Sequence, residues 1–207
     1  MAALFSRLLS AAAILVGVGA CQNAGAAAPS GPPALNLGQA PGPGVRWIEH
    51  VRGDVYLFRD NDNIHNAMFV VTADGIIVTD PINADAVAWL ESELKERFSK
   101  PVTHMLYSHF HSGHNSGGER WGEGLQVVAH EATEQHIAAG ETQTALPTQS
   151  FTDEVTIHTG GKTVELTYLG KGHSDDLVAM VVRPENVAFV VDIMTPNRLP
   201  LMGSSSR

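Results

Sequence analysis

Three histidines fall within six residues of this chain, in the run Tyr107-Ser108-His109-Phe110-His111-Ser112-Gly113-His114. They follow directly on residues 102–108, an apolar stretch that reads as a strand. On a strand continuing past Ser108, His109 and His111 share one face, because side chains alternate. A turn at Ser112-Gly113 then brings His114 back toward them. Imidazole is a good ligand for Zn²⁺, and catalytic zinc sites combine three protein ligands with a water. A polar loop with incidental histidines is the weaker reading of this spacing.

The remaining donors for a metal are limited. Cys21 is the single cysteine of the chain, so no internal disulfide can form. It also stands far from the histidine run, which leaves imidazoles and carboxylates as ligands. The net charge of −9, with no Lys/Arg cluster, argues against nucleic acid or an anionic membrane as the main partner. A small-molecule substrate fits better.

The N-terminus reads as an export signal. Arg7 precedes an apolar run over residues 8–20 that is too short for a membrane span. It ends Val18-Gly19-Ala20-Cys21, which resembles a bacterial lipobox and implies cleavage before Cys21, with lipid on its thiol. A rival cut at Ala26-Ala27-Ala28 would release a soluble product. Residues 1–20 are thus expected to be a signal peptide and residues 21–45, rich in Ala, Gly and Pro, a flexible tether. The expected location is the periplasm, either free or anchored to the envelope.

Residues 46–207 carry the folded region. β-Branched stretches at 55–58, 67–72 and 76–79 alternate with turn signals such as Asp74-Gly75 and predict a meander. Val87, Leu90, Leu94 and Phe98 recur at helical spacing, with Asn83 as N-cap and Pro101 as the stop. Residues 125–129 predict a strand, 131–139 a helix and 140–150 a polar loop. Strands follow at 154–158, 163–169, 177–182 and 187–191. This order indicates a layered α/β architecture.

The histidine run is similar to the His-x-His-x-Asp-His signature of the metallo-β-lactamase superfamily, and Gly117-Gly118 matches the glycines after it. Other markers appear in order. Gly172-His173-Ser174 resembles the late Gly-His element, which makes His173 the third ligand of a first zinc. Val190-Val191-Asp192 resembles the strand end whose aspartate bridges two metals. Residues 75–80 resemble the strand ending in an aspartate, here Asp80, that supports the histidine loop from behind. Asp176 matches a frequent supporting aspartate, and Asn66 stands where the family often has an asparagine. His50, His65, His104, His130, His136 and His158 match no motif and are expected in structural or surface roles.

The resemblance implies an α/β fold of the αββα four-layer sandwich type, with the metal site at one edge between the β layers and the second half incomplete here. It implies an exported zinc-dependent hydrolase of ester, thioester, amide (including β-lactam) or phosphoester bonds. Asp192 stands where one lactamase branch has Cys and another Ser, and so resembles the wider hydrolase family.

Two departures qualify this expectation. Gly113 replaces the signature aspartate, a second-metal ligand in binuclear members. The family's later histidine and closing helix find no match before the Ser-rich end at residues 203–207, which reads as a truncated product. One zinc is therefore expected on His109, His111 and His173. At most His114 and Asp192 remain for a second, and iron or manganese fits the same donors. An aspartate introduced at Gly113 is expected to strengthen metal binding in a chain long enough to complete the site. A non-catalytic metal-binding protein or a truncated pseudoenzyme on the same fold is the competing reading.

Overall fold

A computed structural model describes residues 44–60 and 65–193. The expected signal at 8–20, Cys21, most of the tether and the tail at 203–207 lie outside the described residues. Strands β1 (Arg46–Arg52), β2 (Val55–Asp60), β3 (His65–Val71) and β4 (Ile76–Thr79) form the predicted meander, paired antiparallel in sequence order. After β4 the chain changes to crossover units. Helix α1 (Ala84–Phe98) leads to β5 (Val102–Leu106). A one-turn α2 (Ser112–Asn115) and a 3-10 turn (Gly118–Trp121) lead to β6 (Gln126–His130). Helix α3 (Glu131–Ala138) leads to β7 (Gln149–Phe151). Strands β4 to β7 pair in parallel, completing a seven-stranded sheet in the order β1-β2-β3-β4-β5-β6-β7. Strands β8 (Glu154–Thr159), β9 (Lys162–Tyr168), β10 (Val178–Arg183) and β11 (Val187–Phe189) form a second, antiparallel sheet in the order β11-β10-β9-β8.

The central strands are apolar on both faces, as a sheet covered on both sides requires. Alternation divides their side chains between two cores. Phe69, Ile76, Val78, Met105, Tyr107, Val127 and Ala129 pack with Val87, Leu90 and Leu94 of α1 and Ile137 of α3. Met68, Val70, Ile77, Leu106 and Val128 face Ile157, Val164, Leu166, Val178, Met180 and Val182 of the second sheet. The layers are therefore helix, sheet, sheet, in agreement with the expected sandwich. Its second helical layer has no counterpart among the described residues.

Helix α1 follows the sequence pattern closely. Asn83 Oδ1 accepts the Ala86 N–H at 2.8 Å, and Ser99 ends the helix in the left-handed region at φ 51°. Other elements differ from expectation. The strand predicted over 102–108 stops at Leu106, and the turn at Ser112-Gly113 is the start of α2, with His111 as its N-cap. The polar loop 140–150 runs into β7, whose three residues Gln149–Phe151 carry no apolar alternation and pair with Val128, Ala129 and His130. The strand predicted over 187–191 ends at Phe189.

Candidate metal centre

The site lies where three chain segments meet beyond the strand ends: the loop after β5, the turn after β9 and the segment after β11. The loop after β5 leaves the sheet because carboxylates take over its backbone donors. Asp80 Oδ1 accepts Ser108 N–H at 2.8 Å, and Asp176 Oδ2 accepts Phe110 N–H at 2.7 Å. The Asn115 side-chain amide donates to the His109 carbonyl. Each donor is thus satisfied without a neighbouring strand. His109 and His111 do not share a strand face, as the sequence suggested. They are aimed by these three side chains instead.

The result is a tight donor cluster. One ligand atom each from His109, His111, His173 and Asp192 lies within 4.8 Å of all the others. His111 Nδ1 is 3.1 Å from His109 Nε2 and 3.0 Å from His173 Nε2. Asp192 Oδ2 is 3.1 Å from His173 Nε2 and 3.5 Å from His109 Nε2. A tetrahedral zinc with ligands at about 2.0–2.1 Å would place its donors about 3.3–3.4 Å apart. The observed separations are close to this, so the donor set fits such an ion. The residues brought together are four of the five proposed ligands; His114 stands beside them.

The proton pattern also suits a cation. Ser108 Oγ donates to Asp80 Oδ2 at 2.6 Å, so it accepts from His109 Nδ1 at 2.9 Å. That bond places the His109 proton on Nδ1 and turns the lone pair of Nε2 into the cluster. Burial and the neighbouring His109 and His173 push His111 down to about 4. Burial also lowers His173. Both rings are therefore neutral near pH 7 and able to donate lone pairs. His109 and His114 beside Asp192 hold its carboxyl well below the usual carboxylate range.

His114 is buried, at 3% exposure, and sits between two carboxylates. Its Nδ1 is 3.2 Å from Asp80 Oδ2 and its Nε2 is 3.3 Å from Asp192 Oδ2. Burial opposes its charge, but Asp192 and Asp80 outweigh burial and push it up to about 9. Backbone strain gathers here as well. Asp80, Ile82 and Asp192 have φ of 25°, 68° and 59°. A β-branched residue such as Ile82 rarely adopts that region, and such outliers concentrate at functional sites. Ile82 is held by its N–H bond to the His114 carbonyl at 2.6 Å.

Behind the cluster, Asp176 is fully buried and also accepts Thr133 Oγ1 at 2.7 Å, tying the loop to α3. The His136 ring stacks on Phe110 at 3.9 Å between centroids. It is flanked by Asp175 Oδ1 at 2.9 Å and Glu141 Oε1 at 3.1 Å. Asn66 lies off the cluster and accepts from Arg59 at 3.0 Å. His50, His104, His130 and His158 make local bonds to Gly53, Thr103, Thr152 and Thr163 respectively.

His65 is the residue that motif reasoning missed. Its ring meets His114 edge-on, with centroids 4.6 Å apart. A Cβ built on Gly113 would lie 2.8 Å from His65 Cε1 and Nε2. The available signal was the pairing of a histidine next to Asn66 with the loss of a side chain at 113. An aspartate at 113 must therefore displace His65, a cost the sequence expectation did not include.

No protein-family model matches the chain. It is 27% identical over 143 residues to a metallo-beta-lactamase type 2 from Bacteroides fragilis, covering 68% of this chain and 57% of that protein. The chain thus spans less than two thirds of that curated relative. Among solved structures, it resembles a metallo-beta-lactamase from Pontibacter korlensis at TM-score 0.59 and 22% identity, covering 67% of each chain. It also resembles the metallo-beta-lactamase IND-7 at TM-score 0.59 and 21% identity, covering 69% of each.

Proposed function

On this metallo-β-lactamase fold, we propose that the chain is an exported zinc-dependent hydrolase whose ion is held by His109, His111 and His173 beside Asp192. One observation carries the reading: four donors from three separate segments converge within 4.8 Å, two of them the His111 and His173 imidazoles that burial keeps neutral near pH 7. Bound there, zinc would act as a Lewis acid, making water nucleophilic near neutral pH and polarising an acyl or phosphoryl oxygen.

The chain's own residues supply the rest. Asp80 and Ser108 fix the His109 tautomer, and Asp176 fixes the Phe110 backbone between the two ligating histidines. Asp192 stays ionised, so its carboxylate can orient a water at the open side of the cluster. Its side chain is 35% exposed, which leaves the cluster open to solvent and substrate on that side. The net charge of −9 favours a small molecule over nucleic acid. The apolar run at 8–20 and Cys21 support export and anchoring in the envelope.

The test is turnover of a panel of esters, thioesters, β-lactams and phosphoesters by the zinc-loaded chain, before and after chelation. Chelator-sensitive hydrolysis supports the reading. Tight zinc binding with no turnover across the panel favours the non-catalytic alternative, which the glycine at 113 supports.

A further inference from the structure

Phe110 stands between two ligating histidines, and the chain grips it at three points. Its N–H donates to Asp176 Oδ2 at 2.7 Å. Its carbonyl accepts from Thr142 Oγ1. Its ring stacks on His136, with centroids 3.9 Å apart and planes 17° apart, and meets the His111 ring edge-on at 4.6 Å.

The gripping side chains come from one short stretch, α3 and the turn after it. Thr133 and His136 are three residues apart and share a face of α3. Thr133 is fully buried and donates through Oγ1 at 2.7 Å to Asp176 Oδ2, the same oxygen that holds Phe110 N–H. His136 faces Asp175 Oδ1 at 2.9 Å, two residues after His173. Thr142 is buried as well, although the sequence predicts a polar loop there. One face of the helix therefore reaches both the loop of His109 and His111 and the turn of His173. None of Thr133, His136 and Thr142 belongs to the donor cluster, and no motif marks them.

Peptide planarity turns these contacts into control of the ligands. Phe110 N–H lies in the peptide plane shared with His109, and Phe110 C=O in the plane shared with His111. Holding both planes fixes the backbone that joins the two ligands, and with it the separation of their imidazoles. Asp176 depends on Thr133 for its part. Its carboxylate is fully buried, Oδ1 makes no hydrogen bond among the described residues, and Oδ2 takes both donors. A buried carboxylate stripped of one of two donors is poorly satisfied and relaxes from its place.

We infer that Thr133 and Thr142 are positioning residues of the metal centre. Acting through Asp176 and the Phe110 backbone, they set the angle between the His109 and His111 ligands and lock it to the His173 turn. The inference rests on the ion position proposed above at His109, His111 and His173.

The test is zinc affinity of the full-length chain, by calorimetry against a competing chelator. The visible spectrum of the Co²⁺-loaded chain reports ligand geometry. Thr133→Val keeps the side chain's shape and removes its donor. It should bind zinc about 10-fold more weakly and alter the Co²⁺ d–d bands, whereas Thr133→Ser should match the wild type in both. Thr142→Val should act likewise through the other peptide plane, and it carries the test if Thr133→Val loses its cooperative melt. Val182→Ala, in the core between the two sheets, is the control for lost stability. It should lower Tm and leave zinc affinity and the Co²⁺ spectrum unchanged. Wild-type affinity and spectrum in both valine variants would overturn the positioning role and leave the ion position intact. So would an affinity loss that Val182→Ala shares or that Thr133→Ser also shows. No zinc bound by the wild type overturns the ion position itself, and this inference with it.

Discussion

Removal of the Asp80 carboxylate should damage stability and metal affinity together, because one buried side chain serves both. Asp80 is 1% exposed and accepts from Ser108 N–H and Ser108 Oγ–H at 2.8 and 2.6 Å. It also faces His114 Nδ1 at 3.2 Å. In Asp80→Ala two buried donors and one imidazole lose their acceptor. At about 1–3 kcal/mol per orphaned group, and with the known cost of breaking a buried charge pair, the loss is about 3–5 kcal/mol. For a domain of this size that lowers Tm by about 6–20 °C. The metal-free chain is the right sample, since bound zinc would mask part of the loss. The second readout is the first zinc affinity. Without Asp80, the Ser108 hydroxyl no longer holds the proton on His109 Nδ1, and affinity falls about 10–100-fold. Melts in urea or heat give the first quantity and calorimetry the second. A loss under about 1 kcal/mol, or an unchanged zinc affinity, would refute the chain from Asp80 through Ser108 to His109.

Other perturbations probe neighbouring parts. Ser108→Ala should keep most of the stability yet weaken zinc about 10-fold, read by calorimetry, because only the link to His109 is lost. Gly117→Ala should cost about 2–4 kcal/mol in a urea melt. Gly117 has φ 82°, and an added Cβ would lie 2.7 Å from the Asn83 carbonyl carbon at the start of α1. The His136 clamp should give the metal-free chain a pH-dependent Tm. Burial lowers the His136 pKa, but Asp175 and Glu141 outweigh it and raise the value. The clamp's stability is therefore full below about pH 6.5 and lost as pH rises through the raised value. His136→Gln should flatten that decline, and an unchanged Tm profile would count against the clamp.

The sequence was most informative where signals are local. Helix α1 follows from Val87, Leu90 and Leu94 on one face and Asn83 at the cap. The central strands follow from apolar runs that a sheet buried on both sides demands. The residues of the metal cluster could be named from motif order, but their placement could not. His109 and His111 converge because the carboxylates of Asp80 and Asp176, 28 positions before and 66 after their backbone partners, take the donors of Ser108 and Phe110. Such contacts leave no periodic trace. Strand β7 was hidden for a related reason. Gln149 and Ser150 are exposed, and only pairing with β6 makes the segment a strand. His65 was hidden because its relation to Gly113 exists only in three dimensions.

The central claim is that His109, His111 and His173 share one ion. X-ray absorption at the zinc edge of the chain loaded with one equivalent tests it directly. Three imidazoles on the metal give nitrogen and oxygen scatterers at about 2.0–2.1 Å, with outer-shell multiple scattering from three rings. His173→Ala should reduce that ring signal by a third. A spectrum without imidazole scattering, or one that His173→Ala leaves untouched, would contradict the assignment.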